Sequence, residues 1–408
     1  MDNFNWIADG SVTSVPGFKA CGVTAGFKRS GAPDFAMIFS ETPANFAGVF
    51  TSCTFAAAPV RYDRELVKKG GKLQAAVINS GNANACTGEQ GMKNAADTAA
   101  FAGNALGISP ELVAVASTGR IGVQLPMDII RNGITLGVPA LAVNGGNAAA
   151  EAIMTTDTVP KSAALTLHTA SGDITIGAMT KGAGMIDPNL TSPHATMLCF
   201  ITTDAAIDNQ LLQEMLESNA QDSFNRITVD GDMSTNDTAI IFANGKSGIR
   251  ISQGSKEADD FRQALLAIMQ NLARRMVADG EGSTKLVTVK IVNAATMHDA
   301  KLMAEAIANS LLCKTAWFGN DPNWGRVVAA LGYSGASFDP DKCDIYFGEL
   351  PVVLAGGDAG TPEESLLATV REPEFTIRCD FHDGDCSYWV WSSDISYEYV
   401  KINADYHT

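Results

Sequence analysis

Thr196 is the residue whose type and place could do chemistry. It lies in the stretch Lys181 to Asp204, KGAGMIDPNLTSPHATMLCFITTD. A glycine-punctuated start, Lys181-Gly182-Ala183-Gly184, passes Pro188 and Pro193. At Ala195-Thr196 it turns into the apolar run Met197 to Ile201. A short run of that kind reads as a strand buried on both faces. If the bond between Ala195 and Thr196 were cut, Thr196 would carry a free α-amine. Such an amine has a reference pKa of about 8. It could take the proton from the threonine's own hydroxyl, so one residue would supply nucleophile and base. Taken alone, the stretch reads more simply as a loop-to-strand junction with an ordinary threonine.

Other polar segments stand at the ends of expected elements. Leu73 to Asn79 reads as a strand running into NSGNANACTGEQG, residues 79–91, whose Asn and Gly tolerate left-handed backbone. That fits a tight functional loop or an ordinary connection to the alanine-rich helix Met92 to Leu106. Leu112 to Ala116 is a strand ending in Ser117-Thr118-Gly119-Arg120-Ile121-Gly122. Consecutive N–H groups at such a turn can point at one anion, and a hydroxyl can add a donor; a plain turn fits as well. Thr155-Thr156-Asp157-Thr158 follows Glu151 to Met154. Residues 224–238, FNRITVDGDMSTNDT, hold Asp230, Asp232 and Asp237 but lack the terminal glutamate of a calcium loop. Asp279-Gly280-Glu281-Gly282 sets a carboxylate between two glycines, where it could meet an amine; a solvated glutamate is the simpler reading there. Asn320 to Arg326, NDPNWGR, is a loop with a large aromatic and an arginine.

The elements between these segments alternate strand and helix, which predicts an α/β chain. Phe35 to Phe39, Phe46 to Phe55, Asp173 to Met179 and Lys285 to Val292 read as strands. Ile207 to Asn219, Ser255 to Val277 and His298 to Leu312 read as helices, with Ser255 as an N-cap and Phe261, Leu265, Ile268, Leu272 and Met276 on one face. Phe375 to Val400 reads as a hairpin about Asp383-Gly384. Tyr397 to Ile402 has the content of a strand that would anchor the last residues, Asn403 to Thr408.

Composition narrows the function classes. The 408 residues suggest two to three domains, and 46% apolar residues suffice for a real core. A formal charge of −16 argues against a nucleic-acid or anionic-membrane surface. The first residues lack a basic segment and an apolar segment of the signal-peptide kind, and nothing is long and apolar enough to span a membrane. The eight cysteines are scattered without a CxxC pair, which suits reduced thiols in a cytosolic protein. The five histidines do not cluster with them, so no zinc site or other metal is expected.

Eight motifs in order then carry a resemblance. They are NSGNANACTG, STGRIG followed by Leu125-Pro126-Met127, MTTDT, KGAGMI, ATML, DGEGSTK, GNDPNWGR and NADYHT. Together they resemble the ornithine acetyltransferase family, the bifunctional glutamate N-acetyltransferases, over nearly the whole chain. The resemblance implies self-cleavage between Ala195 and Thr196, giving an α fragment 1–195 and a β fragment 196–408 that begins with the nucleophile. It implies an oxyanion hole from Thr118 and Gly119, and substrate contacts from Thr155, Lys181, Thr196, Glu281, Asn403 and Thr408, with Thr156 adjoining Thr155. The implied reaction moves acetyl from N2-acetylornithine to glutamate in arginine biosynthesis. No cofactor is implied, though some members use acetyl-CoA as a donor substrate. The implied fold is a mixed-sheet sandwich flanked by helices, of N-terminal-nucleophile type, with two intertwined fragments. The implied assembly is a cytoplasmic heterotetramer of two α and two β chains. One departure stands out: Thr191-Ser192-Pro193-His194 lengthen the loop before Ala195, and Thr191 is a rival nucleophile. Rival readings are a self-cleaving aminopeptidase, which would pass the acyl group to water, and a non-catalytic amino-acid-binding protein.

Overall fold

The computed structural model describes residues 3–188 and 197–405. The chain first lays down β1 (Phe4–Trp6), β2 (Phe18–Val23), β3 (Phe35–Phe50), α1 (Ala58–Lys69), β4 (Leu73–Asn82), α2 (Gly88–Leu106) and β5 (Val113–Arg120). It continues through α3 (Met127–Ala140), α4 (Gly146–Ala152), β6 (Lys161–Thr169) and β7 (Gly172–Lys181). Next come β8 (Leu198–Thr203), α5 (Asn209–Gln221), β9 (Ile227–Thr228), β10 (Thr238–Ala243), α6 (Lys256–Ala278) and β11 (Leu286–Ala294). The last third holds α7 (Met297–Ala308), α8 (Leu311–Phe318), α9 (Trp324–Gly332), β12 (Asp344–Phe347), β13 (Leu350–Leu354) and β14 (Gly357–Asp358). It ends with α10 (Glu363–Arg371), β15 (Glu374–Asp380), β16 (Cys386–Ser393) and α11 (Tyr397–Asp405).

β8 is buried on both faces, as its apolar run predicts. Leu198 and Phe200 face one core, and Cys199 and Ile201 face another. β10 lies parallel to it, Leu198 opposite Thr238, and alternates the same way: Ile240 and Phe242 on one side, Ala239 and Ile241 on the other. These two strands sit inside a nine-stranded mixed sheet of order β1-β6-β7-β8-β10-β3-β4-β5, with β2 also on β3. The sheet doubles over at β3. The first half of β3 pairs β2 and β4, its second half pairs β10, and its register with β4 shifts between Phe39 and Ala44. Inward residues of both halves, Phe200 and Phe242 from one and Ile78 and Ala116 from the other, share a single core. The outer faces pack on α5 and α6 on one side and on α2 and α3 on the other. The result is a helix–sheet–sheet–helix sandwich. Truncating Phe200 to alanine at its centre would cost about 3–5 kcal/mol.

A second mixed sheet has seven strands, β14-β13-β12-β15-β11-β16-β9, with α7 to α10 over one face. The mixed α/β class expected from the sequence is therefore what the chain adopts. Strands β8 and β10, which follow residue 196, lie between β7 and β3, which precede it. The helix expected from Ser255 forms as α6: Ser255 Oγ accepts from the Ala258 N–H at 3.1 Å, and Phe261, Leu265, Ile268, Leu272 and Met276 are all buried.

Four local expectations are corrected. Phe35–Phe39 and Phe46–Phe55 are one strand that ends at Phe50, bent near Pro43, which has no N–H to give a ladder. Phe375 to Val400 is not a hairpin, because β11 lies between β15 and β16, pairing both. A Asp-Gly turn reports a chain reversal, and nothing local reports the strand that inserts. His298 to Leu312 breaks at Asn309-Ser310, where the Ser310 hydroxyl caps the new helix α8. Tyr397 to Ile402 belongs to helix α11, not to a strand.

Candidate active site

Strands β5 and β7 end, and β8 and β10 begin, around one pocket of ≈ 720 Å³ including its mouth. Thr118, Gly119, Thr155, Lys181, Glu281 and Asn403 all line it, and Thr156 lines it beside Thr155. Met197, the residue after Thr196, lines it too. Ala195, Thr196 and Thr408 lie outside the described residues, as do Thr191 to His194.

Thr118 and Gly119 are strand residues rather than the turn expected, because β5 runs on to Arg120 beside β4. Gly119 has φ +127°, and a Cβ there would sit 2.5 Å from the Gly81 carbonyl carbon. Only glycine allows β4 and β5 to approach so closely at the pocket edge. Lys181 ends β7, is 9% exposed and donates to Thr118 Oγ1 at 3.2 Å. Burial pulls its ammonium below the usual lysine range, while Asp157, Asp237 and Glu281 push the other way and Lys161 adds to the fall.

A buried ionic group stands behind this wall. Asp157 Oδ1 accepts from Lys161 Nζ at 2.7 Å and from the Gly182 N–H at 2.7 Å, and its Oδ2 accepts from the Thr155 N–H at 3.1 Å. Burial alone would raise the Asp157 carboxyl; Lys181, Lys161 and the Gly182 N–H outweigh it and hold the value at about 2. Lys161 Nζ also reaches Asp279 Oδ2 at 2.5 Å, and Asp279 accepts from the Thr158 N–H and hydroxyl. Three lining segments, around Thr155, Lys181 and Glu281, are thus tied to one ammonium.

Glu281 is fixed from both sides. Its N–H donates to Ala183 O at 2.9 Å, its carboxylate lies where a side chain on Gly184 would have to be, and Asn403 Nδ2 donates to its Oε2 at 2.7 Å. Asp230 accepts from the Met185 and Ile186 N–H groups and from the Tyr399 hydroxyl, which ties the loop after β7 to α11. Its oxygens serve the backbone, and among the described residues no group of three or more His, Cys, Asp or Glu is arranged for a metal.

Sequence reasoning missed the segment before β10. Ser234, Thr235, Asn236 and Asp237 all line the pocket. Asn236 Nδ2 donates to Ala83 O at 2.6 Å and Ser117 O at 2.8 Å, fixing the ends of β4 and β5. Asp237 is 2% exposed; burial pushes its carboxyl well above the usual range against the pull of Lys181. The available signal was a polar Thr-Asn-Asp-Thr placed just before an apolar run, the same grammar as Ala195-Thr196. Taken together, a buried ammonium, a tethered carboxylate and a hydroxyl beside a glycine N–H suit a zwitterionic amino acid carrying an acyl group.

Comparison with known proteins follows the same outline. The ArgJ family model matches residues 19–408. The arginine biosynthesis bifunctional protein ArgJ of Symbiobacterium thermophilum is 50% identical over 406 residues, covering 99% of this chain and 100% of the relative. That of Geobacter sulfurreducens is 47% identical over 401 residues, covering 97% and 100%. Among solved structures, an ornithine acetyltransferase from Mycobacterium tuberculosis complexed with ornithine is 43% identical, with a TM-score of 0.44, covering 46% of this chain and 100% of that one. A Bacillus halodurans ArgJ structure is 41% identical, with a TM-score of 0.44, covering 46% and 98%. On the family match and the full-length relatives, the chain belongs to the ArgJ family.

Proposed function

We propose that the protein is an acetyltransferase of arginine biosynthesis that moves acetyl from N2-acetylornithine to glutamate through Thr196. The observation that carries the reading is that all six described candidate residues line one pocket, with Met197 at its wall. Thr196 first attacks the Ala195 carbonyl, and water hydrolyses the resulting ester, leaving fragments 1–195 and 196–408. In transfer, Thr196 Oγ attacks the acetyl carbonyl while its α-amine takes the hydroxyl proton. Negative charge on the carbonyl oxygen meets Thr118 Oγ and the Gly119 N–H; losing one such donor typically costs about 100- to 1,000-fold. The C–N bond breaks, the amine passes its proton to the leaving nitrogen, and ornithine departs. The glutamate amine then attacks the acetyl-threonine ester and regenerates the hydroxyl. Lys181 holds the substrate carboxylate and Glu281 the substrate ammonium.

Glu281 with its Asn403 partner favours amino-acid acceptors over the water-using aminopeptidase reading. We further infer a cytoplasmic heterotetramer of two α and two β chains. All eight cysteines are unpaired among the described residues, and no helix there is long and apolar enough to cross a membrane. Mass spectrometry of the purified protein is expected to give two fragments joined in sequence at Ala195–Thr196, and Thr196→Ala to stay whole. Double-reciprocal plots with N2-acetylornithine and glutamate varied should be parallel; intersecting lines would sink the acetyl-enzyme. Running the assay with acetyl-CoA as the donor decides whether that substrate is also used.

A further inference from the structure

The motif at residues 79–91 has no task in the reaction above. Asn79, Asn82 and Asn84 are buried at the end of β4, beside the Thr118-Gly119 end of β5. The two strands pair in register as far as Gly81 opposite Gly119. The register then shifts, and Asn82 meets both Thr118 and Arg120. An irregular step of that kind disrupts the ladder locally and re-aims the side chains next to it. Side chains must then hold what the ladder does not. Asn79 holds one part: its Nδ2 donates to Asn82 O at 2.8 Å, and its Oδ1 accepts from Ser117 Oγ at 2.7 Å.

Asn236 holds the other part from outside the motif. It is buried on the pocket wall, and an asparagine amide has two hydrogens to give. They go to Ala83 O at 2.6 Å and Ser117 O at 2.8 Å, while its Oδ1 accepts from the Thr235 hydroxyl at 2.6 Å. With both donors engaged by backbone, the amide has none left for a substrate. The Ser117 carbonyl belongs to the planar peptide that leads into Thr118, so fixing that oxygen fixes how the chain enters Thr118. Asn236 is itself held. Its N–H donates to Ser234 Oγ at 3.1 Å, and its carbonyl accepts from the Thr238 hydroxyl at 3.0 Å. Thr238 opens β10, which is paired on both edges by β8 and β3.

We propose that Asn236 is a positioning residue that holds the Thr118-Gly119 end of β5 at the pocket, with its oxyanion donors aimed before a substrate arrives. The inference rests on the oxyanion role given to those two residues above. Under the same reading, positions 83 and 117 lie on fragment 1–195 and position 236 on fragment 196–408, so one amide ties the donors to the other fragment. Donors act in catalysis to the extent that they need no reorganisation at the moment of reaction. Loosening them should therefore cost rate without releasing the substrate.

The test compares the full chain, wild type and Asn236→Ala. Amide hydrogen exchange read by mass spectrometry should be about tenfold faster over residues 117–120 in the variant, with α6 exchanging as in wild type. Its kcat per cut molecule should fall by about tenfold, less than the about 100-fold or more that follows loss of a donor, with KM for N2-acetylornithine within about threefold. Added to Thr118→Ala, the same substitution should cost clearly less than it does alone, because Asn236 acts through that residue. Asn236→Ser keeps one hydroxyl donor and should fall between; it takes the place of Asn236→Ala should that variant fail to fold or to cut. Unchanged exchange at the end of β5 overturns the proposal. So does faster exchange with kcat kept, since the amide would then serve the fold alone. Full additivity with Thr118→Ala overturns it too, as does a raised KM with kcat kept, which would make Asn236 a substrate contact. Failure of the transferase reading looks different: the wild type itself would transfer no acetyl group, while exchange over residues 117–120 would still respond to Asn236→Ala.

Discussion

The pocket and the wall behind it use the same residue types to opposite ends. Behind the wall, Lys161 is fully buried and meets two carboxylates, Asp157 at 2.7 Å and Asp279 at 2.5 Å. Inside the pocket, Lys181 is also buried, yet its hydrogen bond among the described residues goes to a neutral hydroxyl, Thr118 Oγ1. Asp157 has both oxygens satisfied, whereas Asp237 Oδ2 has no hydrogen-bond partner among the described residues. A closed ionic set holds backbone segments together. An open set leaves charges for something that arrives later, because a buried charge without a partner is costly.

The sharpest way to break this comparison is to remove each lysine. Lys161→Met would strand two buried carboxylates and should cost about 3–5 kcal/mol of stability. A thermal melt within a degree or so of wild type would show that the ionic group is not what holds the wall. Lys181→Met breaks no direct ion pair, although Asp157 and Asp237 lose a nearby positive charge, so it should lower the melt by less than Lys161→Met does. It should leave self-cleavage intact, yet lower kcat/KM for N2-acetylornithine by about 100-fold, as truncating one partner of a buried charge contact costs about 2–5 kcal/mol. A variant that unfolds while its residual activity per folded molecule stays normal would reassign Lys181 to structure.

Acid separates the two regions by sign. Asp157 titrates at about 2 in the folded chain against about 3.9 unfolded, so its stabilisation is present above about pH 4 and is lost as pH falls towards 2. The difference is worth about 2–3 kcal/mol. Asp237, raised by burial, acts in the opposite sense: folding holds its proton on, so above about pH 4 it progressively opposes folding. Urea midpoints of the uncut Thr196→Ala chain should therefore fall between about pH 4 and pH 3. In Asp237→Asn the midpoint should be higher near neutrality than in the parent. A flat acid response would remove Asp157 as an anchor.

What the sequence made legible follows the range of the interactions. The apolar run after Thr196 announced a doubly buried strand, since alternate residues of one short run were all apolar. The cap and stripe of α6 were equally local. The six pocket residues were named from motifs hundreds of positions apart, from Thr118 to Asn403, but their convergence was not visible in any one segment. Asp157, Lys161 and Asp279 went unread for the same reason: their pairing joins positions 118 residues apart. The hairpin reading of β15 and β16 failed because β11, laid down some 90 residues earlier, fits between them. Strand content misled at Tyr397, where the residue types suit a sheet but the segment forms helix α11.

That last error bears on the smallest expected effect. As a helix, α11 sets Tyr399 and Asn403 four residues apart on one face. Tyr399 then reaches Asp230 Oδ2 at 3.2 Å and Asn403 reaches Glu281 Oε2 at 2.7 Å. A strand would have set them about 13 Å apart along its axis instead. The helix therefore reads as a brace that orients the Glu281 carboxylate rather than as an anchor for the final residues. Asn403→Ala removes one hydrogen bond from an exposed amide to the Glu281 carboxylate, so about 1 kcal/mol is at stake. KM for N2-acetylornithine should rise by about fivefold, while kcat stays close to wild type, because Thr118 and Gly119 are untouched. Asn403→Asp should do more harm than Asn403→Ala, since it sets a second carboxylate against Glu281. If both variants bind substrate as the wild type does, Glu281 is held without α11.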